Sequence, residues 1–152
     1  MKNKKLLGVV INLFVSKNNV ESREQRDTLT LEFDGVCEDK FKGKDIVRSV
    51  LLVSQKSYEL AKQNGIDIAD GDLGENVLVD FDPYCLESGT ELLVGNAILE
   101  ISKKSTLCSN LSKIDNKLPK LLKDKRGIFA KVINDGQIKK GDSLSLTSLR
   151  SL

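Results

Sequence analysis

A mainly β fold, a β-barrel or twisted β-sandwich of about seven or more short strands with one clear helix and a few short helical pieces, is what this sequence predicts. Three observations carry the prediction. Short runs that are β-branched or alternate apolar and polar residues recur along the chain, separated by glycine-bearing turns. Strands follow strands instead of alternating with helices, which disfavours a parallel α/β fold. With 152 residues, 39% hydrophobic and 30% charged, the chain fits a single domain, 1–152, whose core needs no disulfide or structural metal.

Leu6 to Val15 is apolar and β-branched and reads as a buried first strand. The lysines before it imitate the charged region of a signal peptide, but no small-residue cleavage site follows. The run is also far shorter than the ~20 residues needed to span a bilayer, and no other stretch looks transmembrane. Ser16 to Asp27 reads as a polar loop, because Lys17-Asn18-Asn19 and Glu21 to Arg26 present no face to bury. Thr28 to Phe33 alternates with period two, as a half-buried strand does, and Asp34-Gly35 turns it.

Val47 to Val53 is the next predicted strand. Ser54 to Ser57 then caps a helix that runs through Tyr58 to Lys62 and stops at Asn64-Gly65. Glu75 to Phe81 is a strand with Val77, Val79 and Phe81 on one side, ended at Asp82-Pro83. Leu92 to Ile101 is a strand pair, or one strand bent at Gly95. Ser109 to Leu122 has leucines at helical spacing, and Pro119 divides it into two short pieces. Gly127 to Ile133 is a strand, Asn134-Asp135-Gly136 a turn, and Gly141-Asp142 opens the final strand through Leu144 and Leu146.

Composition excludes much familiar chemistry. With no histidine, Ser-His and Cys-His catalytic pairs and most catalytic zinc sites are ruled out, leaving thiol, carboxylate, amine and backbone. Cys37, Cys85 and Cys108 are odd in number, widely spaced and without a C-x-x-C, which argues against a disulfide framework and a zinc site. Free thiols imply a reducing, cytoplasmic setting. A net charge of +2 provides no global attraction to nucleic acid or a membrane, although Lys113 to Arg126 concentrates six cations against two Asp.

Cys108 is the most informative residue. It follows a strand and precedes a helix-like stretch rich in cations, a setting that favours the thiolate, which is both nucleophile and soft metal ligand. Lys103, Lys104, Lys113 and Arg126 supply positive charge, and the N–H groups of Ser109 and Asn110 add more if a helix begins there. Cys37 and Cys85 have no activating arrangement and read as structural or incidental thiols, though Cys37 shares a loop with Phe41.

Three glycine-marked segments stand out: Asp34 to Gly43, Gly71 to Asn76, and Arg126 to Ala130. Each alone is explained by turns, with Glu75 and Asn76 satisfying nearby backbone groups. Arg126 has two readings, a bidentate contact to a phosphate or to a carboxylate such as Glu75, or a structural residue that caps the preceding turn or braces Asp142. Glu75 can act as an acid or base only if it is desolvated.

In order, these segments resemble the MOSC domain family, named for the C-terminal domain of molybdenum cofactor sulfurases. The resemblance runs from about Asp34 to Ser143. It takes in Gly71, Gly74, Glu75 and Asn76 as G-x-x-G-E-N, then Leu86, Gly89, Leu92 and Gly95, then Cys108, Arg126-Gly127, and finally Gly136, Ile138, Gly141 and Asp142. Small stand-alone bacterial members look most similar, particularly at Asp34-Gly35, Asp39, Gly43 and Arg48 to Leu52.

The resemblance implies a barrel that handles the molybdenum-pterin cofactor, with no zinc or haem. Cys108 stands at the family cysteine, as catalytic residue and as metal ligand if molybdenum is bound, and Gly74, Glu75, Asn76, Lys104, Ser109 and Arg126 are the residues expected around the cofactor. Two activities are associated with such domains: carriage of sulfane sulfur as a persulfide, and cofactor-dependent reduction of N-hydroxylated compounds. The implied partners are a separate cysteine desulfurase, a molybdoenzyme, or an electron-donor protein if the chain is a reductase. Two departures stand out. Phe41 replaces a common histidine, which affects reduction more than binding or sulfur transfer, and Leu107 replaces a common proline. The alternatives are a non-catalytic barrel presenting residues 113–126 to a phosphorylated or RNA partner, and a thiol redox sensor.

Overall fold

The computed structural model describes residues 4–19, 23–106 and 109–147, with only the backbone at 4, 109 and 110. Seven strands close into a barrel: β1 (Lys4–Ser16), β6 (Val77–Val79), β5 (Val50–Ser54), β9 (Ile128–Asn134), β8 (Ala97–Lys104), β7 (Glu91–Val94) and β11 (Ser143–Thr147), which returns to pair with β1. β2 (Arg23–Arg26) extends the sheet along the end of β1, and β10 (Gly136–Lys139), β3 (Thr28–Glu32) and β4 (Gly35–Val36) form a small second sheet. The barrel and the mainly β class agree with the sequence reading.

β1 is long because it serves three neighbours. Lys4 to Val9 pairs with β11, Val10 to Leu13 with β6, and Leu13 to Ser16 with β2. Register shifts at Leu6/Gly8 and Val10/Asn12 let one strand change partners, as bulges do. Gly8 sits at the first shift, where the Asp80 and Phe81 side chains leave no room for a Cβ.

The alternation within strands sorts side chains into two cores. Val50, Leu52, Val77 and Val79 point into the barrel with Leu13, Leu99 and Leu144. Val53 and Leu78 point outward, under α1 (Gln55–Gln63), α2 (Ser109–Ile114) and α3 (Leu118–Leu121), where they meet Tyr58, Ala61, Leu111, Leu118 and Leu122. Without these helices the outer faces of β5 and β6 would expose their apolar residues to water.

β5 and β6 run parallel, with Leu52 opposite Val77, and α1 lies in the connection between them. The other pairings are antiparallel, so one β-α-β unit is set into an otherwise antiparallel barrel. Ser54 caps α1 as its sequence position predicts, its Oγ accepting from Lys56 N at 3.0 Å. Gly65, with φ of +78°, follows the helix in the left-handed conformation that glycine adopts readily.

Three local readings change. The predicted polar loop contains β2, whose backbone completes the end of β1 and whose Arg26 pairs with Glu24 and Glu38. The strand predicted from Val47 starts at Val50, because Ile46–Arg48 forms a 3-10 turn capped by Asp45, which accepts from Val47 N at 3.2 Å. The break before α3 falls at Asp115 to Lys117, and Pro119 lies in the first turn of α3, where its missing N–H costs nothing. The turn at Gly95 makes Leu92 to Ile101 a strand pair. No helix among the described residues is long and apolar enough to cross a membrane.

Candidate functional site: a cationic cavity at the barrel rim

A cavity of about 300 Å³ opens beside the start of β5. Arg23, Lys44, Arg48 and Arg126 line it, against two acids, Asp39 and Asp45. Phe41, Leu51, Leu73, Leu111 and Phe129 provide apolar wall, and Ser49, Gly74, Asn76 and Ser105 complete the lining. A mostly apolar wall with a few converging polar groups is the usual make-up of a small-molecule site.

Each cation is held differently. Arg23 reaches in from β2, with Nη1 3.5 Å from the Glu75 carbonyl and 3.8 Å from Asp39 Oδ1. Burial lowers its affinity for a proton, and the charges of Asp39 and Glu75 oppose that shift. Arg48 leaves the 3-10 turn and lies over the Phe129 ring, 5.6 Å from its centroid, with Asp45 Oδ2 3.6 Å from Nε. Arg126 donates from Nη1 to the Thr106 carbonyl at 3.0 Å and from Nη2 to the Pro119 carbonyl at 2.7 Å. The Nε–H groups of Arg48 and Arg126 are buried and lack a hydrogen-bond acceptor among the described residues. A buried donor without a partner costs about 1–3 kcal/mol; Asp45 partly offsets that cost at Arg48, whereas Arg126 Nε has no such carboxylate beside it among the described residues.

Asn76 and Glu75 hold the wall. Asn76 bridges three segments: its Oδ1 accepts from Leu51 N at 3.0 Å, and its Nδ2 donates to the Phe14 carbonyl at 3.2 Å and to Asp39 Oδ1 at 3.3 Å. Asp39 also accepts from Ser16 N at 2.7 Å and Phe41 N at 3.0 Å, so its carboxylate fixes the loop that carries Phe41.

Glu75 is fully buried and faces away from the cavity, with both carboxyl oxygens 2.8 Å from Tyr58 Oη. Gly71 N donates to Glu75 Oε2 at 2.9 Å and also lies 2.9 Å from Tyr58 Oη, which Leu73 N approaches at 3.1 Å. Burial raises the carboxyl above its ordinary range and raises the Tyr58 hydroxyl as well. Glu75 thus pins the loop whose Leu73 and Gly74 line the cavity.

The expected site residues therefore divide. Gly74, Asn76 and Arg126 are brought together at the cavity, and Glu75 supports it from behind. Lys104 is exposed at the end of β8 and does not line it. Cys108 lies outside the described residues, as does the side chain of Ser109, whose backbone begins α2; the flanking Ser105 and Leu111 both line the cavity. Sequence reasoning missed Arg23 and Lys44 altogether. Asp39 and Arg48 contributed to the family resemblance without being assigned to the site. Phe41 stands at the mouth, 53% exposed.

A family model described as the MOSC domain matches residues 38–145. Among solved structures, the YuaD protein from Bacillus subtilis is similar over 99% of this chain and 100% of its own, with a TM-score of 0.80 at 18% identity. YiiM from Geobacillus stearothermophilus gives a TM-score of 0.69 at 15% identity, covering 95% of this chain and 75% of that one. YiiM from Escherichia coli gives 0.66 at 20% identity, covering 91% and 69%. At these identities the likeness speaks for the fold. No curated protein matches the chain.

Proposed function

Because this chain belongs to the MOSC domain family, which is associated with the molybdenum cofactor, we propose that its cavity binds the molybdenum-pterin cofactor, with Cys108 as the sulfur that meets the metal. The observation that carries the reading is the convergence of Arg23, Lys44, Arg48 and Arg126 on one cavity against only two acids, Asp39 and Asp45. A phosphate is the acceptor such groups suit, since guanidinium N–H donors match its oxygens in charge and geometry.

The residues present fit the rest of the group. Phe41, exposed at the cavity, offers an aromatic face to a planar pterin, and Arg23 and Lys44 add charge against the phosphate. The volume, about 300 Å³, is at the small end of the range for ligand sites. When bound, the cofactor would supply a redox-active metal centre. The chain's own part is to hold the phosphate at Arg48 and Arg126, to stack the ring at Phe41, and to present a thiolate from Cys108.

A second reading, sulfur carriage, is favoured over reduction by Phe41 at the cavity mouth in a chain without histidine. No imidazole is available to shuttle protons, whereas sulfur transfer needs only a thiolate. In that step the Cys108 thiolate attacks the outer sulfur of a donor persulfide. An S–S bond forms to Cys108 as the donor's S–S bond breaks, and the donor thiolate leaves.

The test is the molybdenum and pterin content of protein purified from a host that makes the cofactor, together with the intact mass after incubation with a small-molecule persulfide. Wild type is expected to retain the cofactor, Arg48→Met to lose most of it, and Cys108→Ser to lose molybdenum in preference to pterin. Wild type with neither cofactor nor added sulfur would overturn both readings.

A further inference from the structure

Residues 101–126 carry eight cations and two Asp, a net +6 on a chain whose total is +2, so the remainder sums to −4. The fold turns this imbalance into a surface. Leu111, Leu118 and Leu122 bury the inner side of α2 and α3, leaving Lys113, Lys117, Lys120, Lys123 and Lys125 exposed. Lys103 and Lys104 extend the charge, since they pair across β8 and β9 with Phe129 and Ile128, just beyond Arg126. Among the described residues none of these seven lysines has an ion-pair partner. Of the two acids nearby, Asp115 accepts from Lys117 N.

The surface borders the cavity, because Ser105, Leu111 and Arg126 belong to the same stretch and line it. Among the lysines, Ile114 is 42% exposed. We propose that the lysine face of α2 and α3 docks the acidic face of a partner protein, with Ile114 as its apolar centre, so that the partner reaches the mouth of the cavity.

Charge complementarity of this kind sets orientation and speeds encounter, while a desolvated apolar residue supplies affinity. RNA is disfavoured because it is read by arginine forks and stacked aromatic rings. The lone arginine of the stretch spends two N–H groups on backbone carbonyls, and residues 101–126 contain no aromatic side chain. A membrane is disfavoured because α2 and α3, of six and four residues, are too short to lay an apolar face along lipid. The proposal goes beyond cofactor binding and does not depend on Cys108.

The experiment uses the whole chain and three probes: a fluorescent oligoglutamate peptide containing one leucine, single-stranded RNA, and phosphatidylcholine vesicles containing phosphatidylserine. The peptide should bind most tightly, more weakly as ionic strength rises toward about 0.15 M, and it should protect Lys113 to Lys125 from acetylation as mapped by mass spectrometry. The variant Lys113→Glu/Lys120→Glu/Lys123→Glu should bind about tenfold or more weakly. Lys139→Glu/Lys140→Glu, on and beside the second sheet, should bind as wild type does. All the substituted lysines are exposed, and circular dichroism checks that each variant folds. Tighter binding to RNA or vesicles, equal binding by both variants, or no binding of the peptide would overturn the proposal.

Discussion

Replacing Asn76 by Asp changes one atom of a buried side chain and keeps its volume, so cavity terms drop out of the result. The Oδ1 contact to Leu51 N survives, whereas the donor that served the Phe14 carbonyl and Asp39 is lost. If the new side chain were ionised, a carboxylate oxygen would stand where Nδ2 now lies, 3.3 Å from Asp39 Oδ1. At an effective dielectric of ~20 that repulsion is about 5 kcal/mol. Taking up a proton instead costs about 4 kcal/mol at pH 7 for a group whose ordinary pKa is ~3.9. Protonation is slightly cheaper and sets the deficit; the protonated acid can donate to one of the two acceptors, and the other adds about 1 kcal/mol.

Asn76→Asp is therefore expected to lose roughly 5 kcal/mol at pH 7, a large part of the 5–15 kcal/mol typical of a domain. The new carboxyl is held above its unfolded value, so its penalty grows with pH above about 4 and shrinks in acid. Urea unfolding of wild type and variant at about pH 4.5 and 7 measures both effects. Equal midpoints at pH 7, or a deficit that does not shrink in acid, would refute the account of Asn76 as the bridge between β1, β5 and the Asp39 loop.

Three further outcomes follow from the same structure. The Glu75 carboxyl is raised by burial, so its stabilising contribution is complete below the unfolded value of about 4.3 and is lost as pH rises through the raised value; melting of Glu75→Gln should gain on wild type from about pH 4 to 7, and a constant difference would contradict this. Gly95 has φ of +58°, and a Cβ there would lie 2.7 Å from the Gln137 carbonyl and 2.8 Å from Asp142 Oδ2, so Gly95→Ala should cost about 2 kcal/mol and lower Tm by roughly 4–8 °C, read by calorimetry. If the cavity takes a phosphate, inorganic phosphate should raise the Tm of wild type; Arg126→Met removes two charged hydrogen bonds and should cost about 2 kcal/mol while abolishing that rise, and Arg126→Lys should recover it only in part.

The sequence revealed those elements whose burial is written in local periodicity. Thr28 to Glu32 alternates and is buried at Leu29 and Leu31; Ser54 and Gly65 bracket a helix as capping chemistry requires. Ordered glycines also revealed the family, because each marks a backbone path more than a side chain. Arg23 was illegible. Its stretch looks solvated, and only contacts with Asp39 and the Glu75 carbonyl, far along the chain, bury it. Glu75 was legible as unusual, but its direction was not, since Tyr58 on α1 turns the carboxyl away from the cavity. Lys104 shows the converse: closeness in sequence to Cys108 did not bring it to the cavity.

The pairing of Lys4 to Val9 with Ser143 to Thr147 makes the last strand the seal of the barrel. On the ribosome the first half of β1 must wait, its hydrogen-bonding edge open, until nearly every other strand has been made. Closure so distant in sequence carries a large loop entropy, which places this chain among slow folders and exposes it to edge-to-edge association while it waits. Shortening the chain to remove β11 would leave that edge permanently bare, and such a fragment should aggregate at lower concentration than the chain that keeps it.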